Sequence, residues 1–175
     1  MAPRARQDST TTTPVESAER AREIALRILG SAPRSAEQLR EGLRKRNVVE
    51  PIIDEIIERY VEVGLLDDAQ LAATVARTRH NERGASRRAI GAELRRKGFE
   101  QHDIDAALSQ IDDDDEFERA RELARKRWEK LAGLDHEVRV RRTVGMLGRK
   151  GYAPGVAFGV VKSLDNADSE ETRSL

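Results

Sequence analysis

Three stretches decide the reading of this chain: Leu43 to Ile57, "LRKRNVVEPIIDEII"; Leu94 to Leu108, "LRRKGFEQHDIDAAL"; and Leu147 to Val161, "LGRKGYAPGVAFGVV". They align without gaps, with the matched leucines 51 and then 53 residues apart. Three residues after each leucine comes a base, Arg46, Lys97 or Lys150, followed by Asn47, Gly98 or Gly151. Asn and Gly are the residue types that tolerate a positive φ at a tight helix end. Val48, Phe99 and Tyr152 follow as apolar anchors just past the turn. Downstream, Ile53/Ile56/Ile57, Ile104/Ala107/Leu108 and Ala157/Val160/Val161 keep helical spacing and form the buried stripe of a second helix. An internal period of this size means stacked modules, each too small to bury its apolar face alone.

Working outward, the period leaves room in each unit for a long helix, a short helix ending at the basic-Gly/Asn step, and a closing helix. The long helices are expected over 17–30, 69–82 and 116–131. In the third, Phe117, Ala120, Ala124, Trp128 and Leu131 share one face, leaving Arg119, Lys126 and Lys130 to solvent. Trp128 is read as core. The expected division is a disordered tail over 1–15, three-helix repeats over 16–68, 69–115 and 116–164, and an acidic disordered tail over 165–175. No stretch reads as a strand, so the fold class is all-α.

Composition agrees with thin, repeated cores: of the 175 residues 37% are charged and only 3% aromatic. Basic and acidic residues number 32 each, but the balance is uneven along the chain. Residues 16–68 sum to −3, 71–111 to +3, 112–116 to −5, 117–164 to +7 and 165–175 to −3. There is no cysteine, hence no disulfide and no thiolate metal site. No apolar run reaches the roughly 18 residues of a membrane span, and the N-terminus lacks a signal-peptide core. A cytoplasmic protein that touches no membrane is expected.

Carboxylates recur where units meet, at Gly64-Leu65-Leu66-Asp67-Asp68, at Ile111 followed by Asp112 to Asp115, and at Leu164-Asp165. The first two precede a new helix, where an acid caps free N–H groups and meets the positive end of the helix dipole. A calcium loop would need converging ligands and its glycine, and neither is visible. His80, His102 and His136 lie apart, with no metal-binding helix motif and no paired nucleophile and base. "GMLGRKG" (145–151) lacks the strand and the Lys-Ser/Thr ending of a phosphate loop. No enzyme activity, catalytic residue, metal site or cofactor is expected.

What remains is charge on helix faces. In the second unit Arg87, Arg88, Arg95, Arg96 and Lys97 surround a buried Ile90/Leu94 stripe. In the third, Arg139, Arg142, Arg149 and Lys150 are expected to line an exposed face opposite Val140, Val144 and Leu147, together with Arg119, Lys126 and Lys130 on the preceding helix. Recurrence in two modules suits a nucleic-acid backbone or an acidic groove built of protein subunits. Base-specific readout and stacking on single strands are less supported, because Asn, Gln and free aromatics are scarce there.

"GLLDDAQLA" (64–72), "RGASRRAIGAELRRKGF" (83–99) and "MLGRKGY" (146–152) resemble the RecX family of RecA regulators over residues 18–164. One departure is Leu71, where the family usually has Phe. The resemblance implies three tandem helix-turn-helix-like repeats in an elongated, curved array. It also implies binding to the RecA recombinase filament on single-stranded DNA, with inhibition of ATP hydrolysis, strand exchange and coprotease action. DNA contact through phosphates, single- or double-stranded, and a monomeric state belong to the same expectation. The alternatives are a helix-turn-helix transcription regulator, which needs a preferred duplex sequence and usually a symmetric dimer, and a helical scaffold for another protein.

Overall fold

The computed structural model describes residues 14–173, and all regular structure among them is helical. The chain divides at Asp67/Asp68 into two compact units. The first holds one three-helix module and the second holds two. Module 1 comprises α1 (Pro14–Ser31), α2 (Ala36–Arg44) and α3 (Glu50–Glu62). Module 2 comprises α4 (Asp68–Asn81), α5 (Arg87–Arg96) and α6 (Gln101–Leu108). Module 3 comprises α7 (Asp113–Lys130), α8 (His136–Arg149) and α9 (Pro154–Arg173).

The repeated turn has the same hydrogen bonding three times. Val48, Phe99 and Tyr152 donate their backbone N–H to the carbonyls of Leu43, Leu94 and Leu147, each at 3.2 Å. Asn47, Gly98 and Gly151 donate to Arg44, Arg95 and Gly148 at 2.9, 3.0 and 3.0 Å. These paired bonds, from five residues on and from three, are the Schellman closure of a helix. They require a left-handed residue between them, and φ is 59° at Asn47, 77° at Gly98 and 94° at Gly151. The residue following each turn is then carried onto the helix just closed, so Phe99 and Tyr152 are buried and Val48 packs against its core.

The second helices, short in modules 1 and 2 but 14 residues long in module 3, are held at their starts by side-chain caps. Ser35 Oγ accepts from Gln38 N and the Gln38 side-chain oxygen accepts from Ser35 N, a complete capping box. Ser86 Oγ accepts from Ala89 N at 3.2 Å, and Asp135 accepts from Glu137 N at 3.0 Å. Each module has its own core: Leu39, Leu43, Ile53 and Ile56 in the first, Ile90, Leu94, Phe99 and Ile104 in the second, Trp128, Leu147, Tyr152 and Val160 in the third. Burial of each large side chain contributes roughly 1.5–3 kcal/mol. Small residues at Ala72/Ala76 and Ala120/Ala124 let the long helices approach closely.

Several expectations are corrected. The first long helix starts at Pro14 and the third at Asp113, three residues before the expected position, because Asp112 caps it by accepting from Asp115 N at 2.7 Å. Phe117 is 39% exposed and does not join the buried face of α7. The acidic segment after Leu164 is helical through Arg173 and is not a disordered tail over that range. It continues α9 because Asp165 and Asp168 find donors on α7 and α8. Asp165 thus lies inside a helix and not at a unit boundary. Of the expected tail over 1–15, residues 14 and 15 belong to α1 and 1–13 lie outside the described residues, as do residues 174 and 175.

Candidate partner-binding surface

The twelve basic residues singled out by sequence do not form one class of surface. Four of them fasten module 2 to module 3. The Arg87 backbone N–H donates to Glu116 at 2.8 Å and its guanidinium pairs with Asp113. Arg88 Nε donates to the Gly151 carbonyl at 3.0 Å. Arg119 reaches the carbonyls of His80 and Asn81 at the end of α4, at 3.3 and 2.5 Å, and also pairs with Glu122. Lys150 Nζ donates to the Arg83 carbonyl, while its own carbonyl accepts from Ser86 N at 3.0 Å. Arginines are suited to this because several donors in one plane can satisfy helix-end carbonyls that have no partner in their own helix.

Three more are occupied within their own modules. Lys97 pairs with Glu93 at 2.8 Å, and Lys126 with Glu122 at 2.7 Å. Arg139, expected on an exposed stripe, is 16% exposed at its side chain. It lies 4.0 Å over the Trp128 ring, donates to the Trp128 carbonyl at 3.0 Å and to Asp168 at 2.7 Å. A sequence stripe at i, i+3 ignored the helix that returns across it.

The remaining five, Arg95, Arg96, Lys130, Arg142 and Arg149, are exposed and make no ion pair among the described residues. Arg95 Nε donates to Gln101 at 3.2 Å and borders a cleft of about 380 Å³ between modules 2 and 3, floored by Gly91, Leu108, Tyr152 and Val156. Arg142 and Arg149 are two helical turns apart on α8 and share a face. A base outside the twelve, Lys45, stands two residues after its leucine as Arg96 and Arg149 do after theirs; it is 76% exposed and only loosely paired, 3.9 Å from Glu41. The alignment itself carried that signal. Each module therefore presents a base at the same place, the exposed end of its second helix, where cations also suit the helix dipole.

Glu93 is the most strongly perturbed acid of this region. A two-pronged bond from Arg79, 2.7 Å on each side, and a further bond from Lys97 hold its carboxyl down to about 2. Because the folded value is depressed, this contribution is present above the unfolded value near 4.3 and is lost as pH falls from about 5 towards 2. Urea unfolding at stepped pH is expected to show that loss, and Glu93→Gln is expected to flatten the slope in that window; an unchanged slope in the variant would contradict the assignment.

At the junctions, Gly64 has a φ of 72° and closes α3, and Asp67 immediately precedes α4. Leu66 is buried in the module 1 core while Leu65 is 54% exposed. No group of three or more metal-ligating side chains occurs among the described residues, and no described helix is long and apolar enough to cross a membrane.

Fold and surface together define a class: tandem three-helix modules whose polar chemistry is spent on joints and on exposed bases. Models of the first, second and third three-helix domains of RecX match residues 21–59, 67–108 and 113–161 in order. The regulatory protein RecX of Streptomyces coelicolor is 43% identical over 162 residues, covering 93% of this chain and 86% of the relative. That of Thermobifida fusca is 41% identical over 152 residues, covering 87% and 82%. The crystal structure of RecX from Lactobacillus salivarius superposes with a TM-score of 0.76 at 22% identity, covering 86% of this chain and 98% of that one, a likeness of fold. The chain belongs to the RecX family of regulatory proteins.

Proposed function

We propose that this protein is a non-catalytic regulator that binds the RecA recombinase filament on single-stranded DNA and inhibits its ATPase, strand-exchange and coprotease activities, so modulating recombination and DNA repair. Family membership supports the regulatory role. The observation that carries the binding mode is the exposed base repeated at one position of every module, Lys45, Arg96 and Arg149, extended along α8 by Arg142. A base at a fixed place in each repeat matches a partner that is itself periodic, which a filament of identical subunits is. These cations meet acidic protein surface or DNA phosphate, and the bound modules block the subunit motions or additions that turnover needs.

Duplex reading is the weaker alternative. In a helix-turn-helix the helix after the turn enters the major groove. Here α3 exposes Glu50, Asp54, Glu55 and Glu58, and α6 exposes Asp105, so phosphates and base edges would meet like charge. Exposed charges are screened beyond about 8 Å at physiological salt. Inhibition of RecA is therefore expected to weaken as salt rises under conditions that leave RecA itself active; inhibition indifferent to salt would remove the electrostatic part of this reading.

A further inference from the structure

Beyond the core of module 3, α9 carries no buried apolar residue after Val161 among those described, and Leu164 is only half-buried. Its acidic continuation is held by polar contacts. Asp165 receives His136 Nε2 at 2.8 Å, and one oxygen of Asp168 receives both Trp128 Nε1 and Arg139, each at 2.7 Å. Those two bonds, that from Trp128 foremost, hold the Asp168 carboxyl below its usual range. Arg139 is at the same time stacked 4.0 Å over the indole, and His136 meets the indole edge-on at 6.3 Å. An oxygen bound by an indole N–H and by a guanidinium whose carbon lies 4.0 Å from an aromatic centroid is an anion site beside a cation–π pair. Asp168 occupies it from within the chain.

We propose that Trp128, Arg139 and His136 form a second nucleic-acid site, one that takes a phosphate of single-stranded DNA in place of the Asp168 carboxylate, and that the acidic end of α9 is its displaceable internal occupant. With the strap displaced, a base would stack on the Arg139 guanidinium, as unpaired bases do on arginine. The strap is suited to displacement because a segment held by three polar contacts, one exposed and two part-buried, with no buried apolar residue of its own among those described, opens locally at lower cost than a packed helix. This goes beyond the filament-binding reading and does not depend on it, since it concerns DNA alone.

Trp128 is the single tryptophan, so its emission reports on the site without a label. The probe is an oligothymidylate of about 20 nucleotides, titrated into the full chain and variants with no RecA present. Asp168→Asn keeps an oxygen that can accept from the indole but removes the charge; it is expected to bind at least fivefold more tightly than the parent, with a larger change in Trp128 emission. Adding Arg139→Gln to it is expected to abolish the gain. Glu170→Gln with Glu171→Gln removes two charges two and three residues further along the sequence and is expected to change affinity less than twofold. A chain ended after Leu164 should match Asp168→Asn; if it fails to fold, the point variants decide. Equal affinity of Asp168→Asn and parent, a gain that survives Arg139→Gln, an equal gain from Glu170→Gln with Glu171→Gln, or a gain for polyglutamate but not for oligothymidylate would each overturn the proposal.

Discussion

Gly151→Ala is expected to lower the unfolding free energy by roughly 2–5 kcal/mol, a large share of what a small domain has. Two costs combine. At a φ of 94° a side chain is strained, for about 1–2 kcal/mol. A Cβ there would also stand 2.5 Å from Ser86 Oγ and 2.6 Å from Ala89 Cβ, at the point where module 3 touches the start of α5. Neither neighbour is the far end of a flexible chain, so α5 or the turn must move, at about 1–3 kcal/mol for overpacking. Moving it stretches the bonds from Ser86 N to Lys150 O and from Arg88 to Gly151 O. Gly64→Ala is the comparator, since its φ is 72° but nothing lies within 4 Å of its added Cβ. Denaturant unfolding should show the Gly151 variant the more destabilised; equal losses would mean that the joint between modules 2 and 3 does not depend on that close approach.

Neutralising Arg96, Arg142 and Arg149 together to Gln is expected to raise the concentration needed for half-inhibition of RecA roughly ten- to hundredfold, while leaving the fold intact. All three are exposed and make no ion pair among the described residues, so their loss leaves the module cores and joints in place. At about 0.5–1 kcal/mol for each partner contact, three contacts amount to roughly 1.5–3 kcal/mol, and 1.4 kcal/mol is tenfold in affinity. The same exchange at Arg88 and Arg119 is expected to act differently: it removes ties to the Gly151, His80 and Asn81 carbonyls and so destabilises the second unit before any partner is added. Comparing half-inhibition with unfolding midpoints separates the two groups. If the exposed triple leaves inhibition unchanged, binding does not run through the ends of the second helices.

Much of the fold was legible because its information is local. A leucine, a base, a left-handed residue and an apolar anchor at fixed spacing specify a Schellman closure wherever they occur, and three copies specify three modules. The buried stripe of α5 followed from period alone; on α8 only Leu147 of the expected stripe is fully buried, Val140 and Val144 being partly so and Thr143 taking the buried place beside it. The surface was less legible. Whether Arg119 faces water or the end of α4 depends on where module 3 packs on module 2, and no spacing encodes that. Arg139 has helical neighbours that point outward, and only the return of α9 buries it. For the same reason the acidic end read as a polar tail: its partners, Trp128 and Arg139, lie 40 and 29 residues upstream. Lys45, by contrast, was readable from the alignment, since it sits in register with Arg96 and Arg149.

The most direct test of the central claim is steady-state ATP hydrolysis by a cognate RecA on single-stranded DNA, with this protein titrated from far below to equal stoichiometry. Inhibition that deepens with added protein is the predicted result, its onset well below one-to-one marking end-capping or cooperative disruption and its onset only near one-to-one marking groove coating. Unchanged hydrolysis in the presence of folded protein at equal stoichiometry would contradict the account.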